Sequence, residues 1–154
     1  MKILLPIDGS DLALHEVHFA LRLVAQGLQA EFLLVNVQEP ATFYEMVTAP
    51  DPVVLEQVSQ AAGEHQLESA AALLRDAGVG CELAVASGDP TNALLELVES
   101  QGCDLIVIGT RGAGLLRSAV QGSVAQRLLH EAPVPVLMVR QPEPEEAEEP
   151  PSEE

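Results

Sequence analysis

The sequence predicts an α/β fold: a three-layer sandwich in which helices cover both faces of a five-stranded parallel sheet. Short apolar runs rich in β-branched residues, as expected for strands buried on both faces, occur at separate places along the chain. Longer segments with apolar residues at helical spacing alternate with these runs. Such alternation favours a parallel sheet with right-handed crossovers, and we predict the strand order 3-2-1-4-5.

The first elements follow from this alternation. Residues 2–7, KILLPI, are predicted as the first strand, and residues 12–28 as the first helix, with Ser10 or Asp11 as its cap. Residues 31–37 are predicted as the second strand and residues 38–52 as a loop. The apolar stripe predicted for the first helix consists of Leu14, Val17, Leu21, Val24 and Leu28.

Aspartate followed by proline predicts the start of the next two helices, because both residues favour a helix N-terminus. Asp51-Pro52 begins a helix predicted to end at Ala77, with Gly63 as an interruption of moderate cost. Asp89-Pro90 precedes a helix over residues 91–101. The remaining predicted elements are strands at 81–86, 105–108 and 134–140 and a helix at 122–131.

A glycine-rich stretch after the fourth strand is the main candidate for a ligand site. Two residues separate Gly109 from Gly112, and nine more precede Gly122 and Ser123, where a helix is predicted to begin. A helix N-terminus offers unpaired N–H groups to an anion, and glycine permits close approach. Ser123 can donate to a phosphate or cap the helix. The alternative is an ordinary strand-to-helix crossover.

Two arginines favour the anion site. The chain has 7 Lys and Arg residues against 24 Asp and Glu residues, yet Arg111 and Arg117 both fall in this stretch. They are the cations that a phosphate would need in an acidic protein, although a solvated loop would also accommodate them.

Three separated segments resemble the universal stress protein family, and specifically its ATP-binding branch. The pattern of Gly109, Gly112, Gly122 and Ser123 is similar to the nucleotide loop of that family. The segments ILLPIDGS, at residues 3–10, and PVPVLMV, at residues 133–139, are also typical of it. The resemblance implies a universal stress protein domain over residues 1–140, with an adenine nucleotide alpha hydrolase-like, or Rossmann-like, fold.

The resemblance also implies a ligand. This is ATP, with AMP as the alternative, and Mg²⁺ or Mn²⁺ would bridge the phosphate oxygens. Backbone groups near Val37 would meet the adenine, and no side chain is predicted as a direct metal ligand, except for a possible contribution from Asp8. The nucleotide-binding residues expected on this basis are Pro6, Ile7, Asp8, Val37, Gly109, Thr110, Arg111, Gly112, Gly122, Ser123 and Val124.

Asp8 is the predicted site residue with the most chemistry to offer. It stands at the carboxyl end of the first strand, where ligands of open parallel sheets bind. Its carboxylate can accept from ribose hydroxyls or help to hold a metal ion. It can also be a turn or capping acid, and with the resemblance we favour the ligand role.

The predicted function is that of an ATP-binding sensor that regulates a partner protein in a stress response. The sequence contains neither a P-loop nor a nucleophile elbow. We therefore predict at most slow ATP hydrolysis. The alternatives are a slow Mg²⁺-dependent ATPase or phosphotransferase, and a dimeric interaction module that binds no nucleotide.

The last predicted strand, Val134 to Arg140, is expected at an edge of the sheet, because Pro135 cannot donate to a ladder. An apolar edge without charge requires a cover, and a second copy around a two-fold axis is the simplest one. The resemblance implies the same homodimer. The alternative cover is the C-terminal tail.

Composition limits the partners and the location. The net charge of −17 argues against nucleic acid and anionic membrane surfaces. The sequence has no apolar run of transmembrane length and no signal-peptide layout, so we predict a cytoplasmic protein without membrane insertion. Residues 141–154, QPEPEEAEEPPSEE, are predicted to be a disordered acidic tail.

Overall fold

The structure is a computed structural model that describes residues 1–40, 43–48, 51–110 and 123–140. Five strands and five helices lie in these ranges, and none of the helices combines the length and apolar content that a bilayer crossing demands. In chain order the elements are β1 (Lys2–Pro6), α1 (Ala13–Ala25), β2 (Glu31–Gln38), α2 (Phe43–Thr48), α3 (Pro52–Asp76), β3 (Cys81–Ser87), α4 (Pro90–Gln101), β4 (Leu105–Gly109), α5 (Ser123–Glu131) and β5 (Val136–Val139).

The strands form one parallel sheet in the order β3-β2-β1-β4-β5, which confirms the predicted order. β1 is the central strand: Ile3 pairs with Phe32 of β2 on one side and with Leu105 of β4 on the other. The strand order therefore reverses at β1. In open parallel sheets this reversal leaves a crevice beyond the carboxyl ends of the two strands concerned.

Helices cover both faces of the sheet, as the predicted three-layer sandwich requires. On one face, Val17 of α1 and Leu67 of α3 pack in the apolar cluster that contains Leu5. On the other face, Leu94 of α4 packs in the cluster that contains Leu4, together with α5. Neighbouring side chains of β1 thus enter different clusters, and burying each leucine contributes about 1.5–3 kcal/mol.

The two edge strands of the sheet differ in chemistry. β3 carries Glu82, whose side chain is 62% exposed and forms a 3.3 Å salt bridge with Lys2. β5 is a run of four apolar residues without a charge. β5 is at an edge as predicted, but it is shorter than the predicted strand 134–140. Pro135 lies before it, and the ladder to β4 begins with the Pro135 carbonyl, which accepts from Ile106 N at 3.0 Å.

Both Asp-Pro helix starts are confirmed. The Asp51 carboxylate accepts from Val53 N at 3.0 Å, and the Asp89 carboxylate accepts from Asn92 N at 3.0 Å. Losing such a cap typically costs about 1 kcal/mol. α4 ends at Gly102, whose φ of 64° is the left-handed conformation that glycine favours.

The predicted cap and apolar stripe of α1 are partly wrong. Leu12 occupies the cap position without a side-chain bond, and Ser10 Oγ accepts from Ala13 N at 3.3 Å from outside it. The buried residues of α1 are Ala13, Glu16, Val17 and Ala20, whereas Leu14, Leu21, Val24 and Leu28 are only partly buried. Small alanines let the helix axis approach the sheet, so the leucines flank the interface instead of forming its centre.

The segment predicted as a loop between β2 and α3 contains α2, so the described part of the chain has five helices where four are predicted. α2 has six residues. A helix of this length is under two turns long and shows too little periodicity to be recognised in a sequence.

Gly63, predicted as an interruption of α3, instead permits close packing. A Cβ at this position would lie 2.5 Å from Val85 Cγ1 and 3.2 Å from Asn36 Oδ1. Because a valine side chain is stiff at χ1, it cannot easily move away. Gly63 therefore lets α3 sit directly on β2 and β3.

We expect Gly63→Ala to lower the free energy of unfolding, measured by urea denaturation, by about 1–3 kcal/mol through overpacking against Val85. The control is Gly80→Ala, since a Cβ at Gly80 meets nothing within 4 Å. Adding Val85→Ala to Gly63→Ala should recover part of the loss. Equal stability of the Gly63 and Gly80 variants would contradict the steric argument.

Candidate functional site

The ends of β1 and β4 lie next to each other at the carboxyl edge of the sheet. Pro6 ends β1 and is followed by Ile7 and Asp8, and Gly109 ends β4 and is followed by Thr110. These strands are neighbours in the sheet, so the structure brings two separated groups of predicted site residues together. The place is the crevice at which the strand order reverses.

Six predicted site residues remain, and the structure describes three of them. Val37 is buried near the end of β2, the other neighbour of β1. Ser123 and Val124 begin α5, whose N-terminus points to the same edge because crossover helices are antiparallel to the strands. Three further predicted site residues lie outside the described residues, namely Arg111, Gly112 and Gly122.

Asp8 has one oxygen engaged and one available. Its Oδ1 accepts from Ser10 N at 2.9 Å and from Ser10 Oγ at 2.5 Å, which fixes the carboxylate plane. Its Oδ2 is buried and has no hydrogen-bond partner in the part of the chain that the structure describes. A buried oxygen without a hydrogen-bond donor is costly, so Oδ2 is suited to accept a hydrogen bond from a ligand hydroxyl.

A buried amide network holds the start of this loop. Asn36 of β2 is 0% exposed, and its Nδ2 donates to the Ile7 carbonyl at 2.9 Å and to Gln66 Oε1 at 2.6 Å. Its Oδ1 accepts from Gln38 Nε2 at 2.6 Å. Ile7 N also donates to Val35 O at 2.8 Å. Both backbone groups of Ile7, the residue before Asp8, are therefore tied to β2.

Glu16 is a second acid at the site, on α1. It is only 4% exposed, and its carboxylate accepts from the backbone N–H of Gly109. Burial raises the pKa of Glu16 well above its ordinary value, and the nearby charge of Asp8 raises it further, while the Gly109 bond acts in the opposite direction. Glu16 thus connects α1 to the end of β4, directly beside Asp8.

Sequence reasoning missed both Glu16 and Asn36. Glu16 lies three residues after Ala13 and four before Ala20, so helical spacing places it on a stripe of small apolar residues. Asn36 interrupts an otherwise apolar strand, EFLLVNV. In both cases the available signal was a polar residue at a position where the periodicity requires an apolar one.

Arg127 on α5 is engaged in structural ion pairs. Its Nη1 lies 3.4 Å from Asp89 Oδ2 and its Nε lies 3.3 Å from Glu131 Oε1. Since Asp89 also caps α4, this side chain connects the two helices on one face of the sheet. A cationic partner for a phosphate would therefore have to come from elsewhere, as predicted for Arg111.

Among the residues described, no three His, Cys, Asp or Glu side chains come together as a metal site. Cys81 and Cys103 are free thiols, and burial raises the pKa of each. The predicted Mg²⁺ or Mn²⁺ is one held by phosphate oxygens and stays a prediction.

Comparison with known proteins identifies relatives along nearly the whole chain. A sequence model of the universal stress protein family matches residues 1–140. The chain is 36% identical over 143 residues to a universal stress protein of Thermus aquaticus, and this match covers 90% of the chain and 97% of that protein. A crystal structure from the same family in Burkholderia pseudomallei is 29% identical, has a TM-score of 0.66 and covers 90% of this chain and 94% of that one.

Two further solved structures of similar fold contain nucleotides. A universal stress protein family protein of Arabidopsis thaliana with AMP bound is 21% identical, with a TM-score of 0.67 and 92% coverage of each chain. A universal stress protein in complex with cAMP is 22% identical, with a TM-score of 0.66 and coverage of 90% of this chain and 96% of that one.

The raised pKa of Glu16 predicts a pH dependence of stability. The folded state retains the proton above the ordinary value of 4.5, so this group's contribution to the free energy of unfolding falls as the pH rises from that value toward the folded pKa. Glu16→Gln preserves the acceptor for Gly109 N–H and cannot ionise. We expect urea unfolding to show the variant as the more stable protein at neutral pH, with a difference that shrinks on acidification.

The matched control for Glu16→Gln is Glu96→Gln, an exposed position on α4. It should leave the pH dependence unchanged. A Glu16→Gln protein that follows the wild-type stability curve between pH 4.5 and neutrality would show that Glu16 titrates normally.

Proposed function

This chain belongs to the universal stress protein family, and from that premise we propose that it binds an adenine nucleotide in the crevice between the ends of β1 and β4. The observation that carries the proposal is the buried Asp8 Oδ2 without a partner in the described residues. A ribose hydroxyl supplies the missing donor. The carboxylate is already oriented by Ser10, so binding requires little reorganisation at this atom.

The identity of the nucleotide is supported by two kinds of observation. Solved structures of two family members contain AMP and cAMP, which share adenine and ribose. The glycine pattern from Gly109 to Gly122 and Ser123 resembles the loop of the ATP-binding branch, so we propose ATP as the ligand of this chain. In this proposal Arg111 and backbone amides of the loop meet the phosphates, and Mg²⁺ or Mn²⁺ bridges the phosphate oxygens.

We propose that the bound nucleotide serves a regulatory role. ATP occupancy would report on the state of the cell and alter contact with a partner protein whose identity is unknown. A cytoplasmic location agrees with two free cysteines in the described residues, since reducing compartments preserve thiols.

We further propose that the protein is a homodimer formed through the edge strand predicted over Val134 to Arg140. β5 presents an apolar edge without charge. Pro135 O and Val139 O accept from Ile106 N and Thr110 N, so the backbone groups of these residues face β4. Alternate residues of a strand face opposite sides, so the backbone N–H of Met138 points to the open edge. A second copy would pair with that edge.

Asp8→Asn tests the nucleotide site. Asparagine retains an oxygen for Ser10 but removes the charge and places an amide at the Oδ2 position. We expect ATP affinity, measured by calorimetry, to fall about ten- to a hundredfold, because a hydrogen bond to a charged group contributes about 1.5–3 kcal/mol. Wild-type protein should also prefer ATP over 2′-deoxy-ATP or 3′-deoxy-ATP, and Asp8→Asn should lose most of that preference.

The control for Asp8→Asn is Asp11→Asn, an exposed aspartate in the same turn. It removes the same charge from the same region and should leave the ribose preference intact. If the wild-type protein binds no adenine nucleotide, the proposed function is wrong. If both variants lose the ribose preference equally, only the role of Asp8 is wrong.

Met138→Pro tests the dimer. Proline removes the outward N–H and leaves the bonds of β5 to β4 in place, while Met138→Ala shortens the side chain and retains the N–H. We expect sedimentation equilibrium to show dimers of wild-type protein and of Met138→Ala, and a dimer affinity lowered about tenfold or more for Met138→Pro. Monomeric wild-type protein, or an unaffected Met138→Pro dimer, would exclude this interface.

A further inference from the structure

We propose that Gln66 and Asn36 are positioning residues, through which helix α3 controls how well Asp8 recognises the ribose of a bound nucleotide. This inference rests on the proposed nucleotide site and adds its regulation by α3. It is carried by three consecutive contacts between α3, β2 and the loop that contains Asp8.

The first contact places α3 directly on the end of β2. Gly63 and Gln66 lie one turn apart on the same side of the helix. A Cβ at Gly63 would approach Asn36 Oδ1 to 3.2 Å, so the helix backbone passes close to this amide. The position of α3 over β2 therefore determines whether Gln66 can reach Asn36.

The second contact is the amide relay itself. Asn36 uses both N–H donors of its side chain, one to Gln66 Oε1 at 2.6 Å and one to the Ile7 carbonyl at 2.9 Å. Gln38 holds the oxygen of the same amide at 2.6 Å. Asn36 is fully buried, so in the folded protein its amide is satisfied by these partners and not by solvent. The orientation of the peptide between Ile7 and Asp8 thus depends on Gln66.

The third contact connects Gln66 to the residue after Asp8. A Cβ on Gly9 would lie 2.9 Å from Gln66 Cγ and 3.0 Å from Gln66 Cβ, and Gly9 has a φ of +83°. The aliphatic part of Gln66 therefore packs against the loop backbone, while its amide oxygen binds Asn36. Gln66 contacts the loop on both sides of Asp8, through Ile7 by way of Asn36 and through Gly9 directly.

These contacts join the ligand-facing carboxylate to a helix of 25 residues. Coupling of this kind is reciprocal: if α3 improves the geometry of Asp8, then a ribose held by Asp8 stabilises the position of α3. The first two turns of α3 expose Val53, Val54 and Val58. The helix therefore extends from the loop that contains Asp8 to an apolar part of the surface.

The test compares three variants of the full chain. The measured quantity is the ratio of the affinity for ATP to the affinity for a deoxy analogue, either 2′-deoxy-ATP or 3′-deoxy-ATP, whichever binds more weakly. Gln66→Met keeps the length of the side chain and removes the acceptor. Gln66→Glu retains an acceptor oxygen, and any effect of its charge on the phosphates cancels in the ratio. Gln57→Met is the matched control, because Gln57 is exposed on α3 and lies nine residues, or two and a half turns, before Gln66.

We expect Gln66→Met to reduce the ribose preference about three- to tenfold, the loss expected for one hydrogen bond. Gln66→Glu and Gln57→Met should retain the wild-type preference, and urea unfolding should show Gln66→Met folded under the assay conditions. A wild-type preference in Gln66→Met would overturn the relay and leave the nucleotide site in place. A wild-type protein without nucleotide affinity would overturn both.

Discussion

The burial of β1 on every side is the constraint on which the rest of the structure depends. A strand that pairs with β2 and β4 and lies under helices on both faces has no solvated backbone within its length. Its polar chemistry can therefore begin only where the strand ends, at Ile7 and Asp8. The neighbouring strand β4 ends at the same level, so the fold supplies a crevice with paired backbone walls and a polar rim.

Two acids lie close enough at this end of the sheet for the charge of one to affect the other. Asp8 is partly exposed at the crevice, while Glu16 lies buried behind it against Gly109 N–H. Burial and the charge of Asp8 raise the pKa of Glu16, which favours its neutral form in a protein whose net charge is already −17. The two acids differ in their contacts, because Asp8 Oδ2 has no partner among the described residues whereas Glu16 accepts from Gly109 N–H at the end of β4.

The sheet order, the edge position of β5 and the two Asp-Pro helix starts were predictable from the alternation of strands and helices, from a proline beside the last strand and from local capping chemistry. For the candidate site, the sequence indicated which strand ends come together, but not the side-chain contacts that hold the loop after β1. The bond between Asn36 and Gln66 joins residues 30 apart in sequence, and Gly63 of α3 is required by Val85 on strand β3. Such requirements arise from tertiary packing, so a local pattern cannot reveal them. The predicted Arg111, Gly112 and Gly122 lie outside the described residues.

The unlike ends of the sheet have a consequence for assembly. Growth of a sheet into a fibre requires that both edge strands of every copy pair with a neighbouring copy. Here β3 presents Glu82, bound to Lys2, where a charge discourages further strands, while β5 is uncharged. Pairing two copies through their β5 edges would leave only the two β3 edges exposed. If two copies associate through β5, as proposed, the charged β3 edge would then limit the assembly to a dimer.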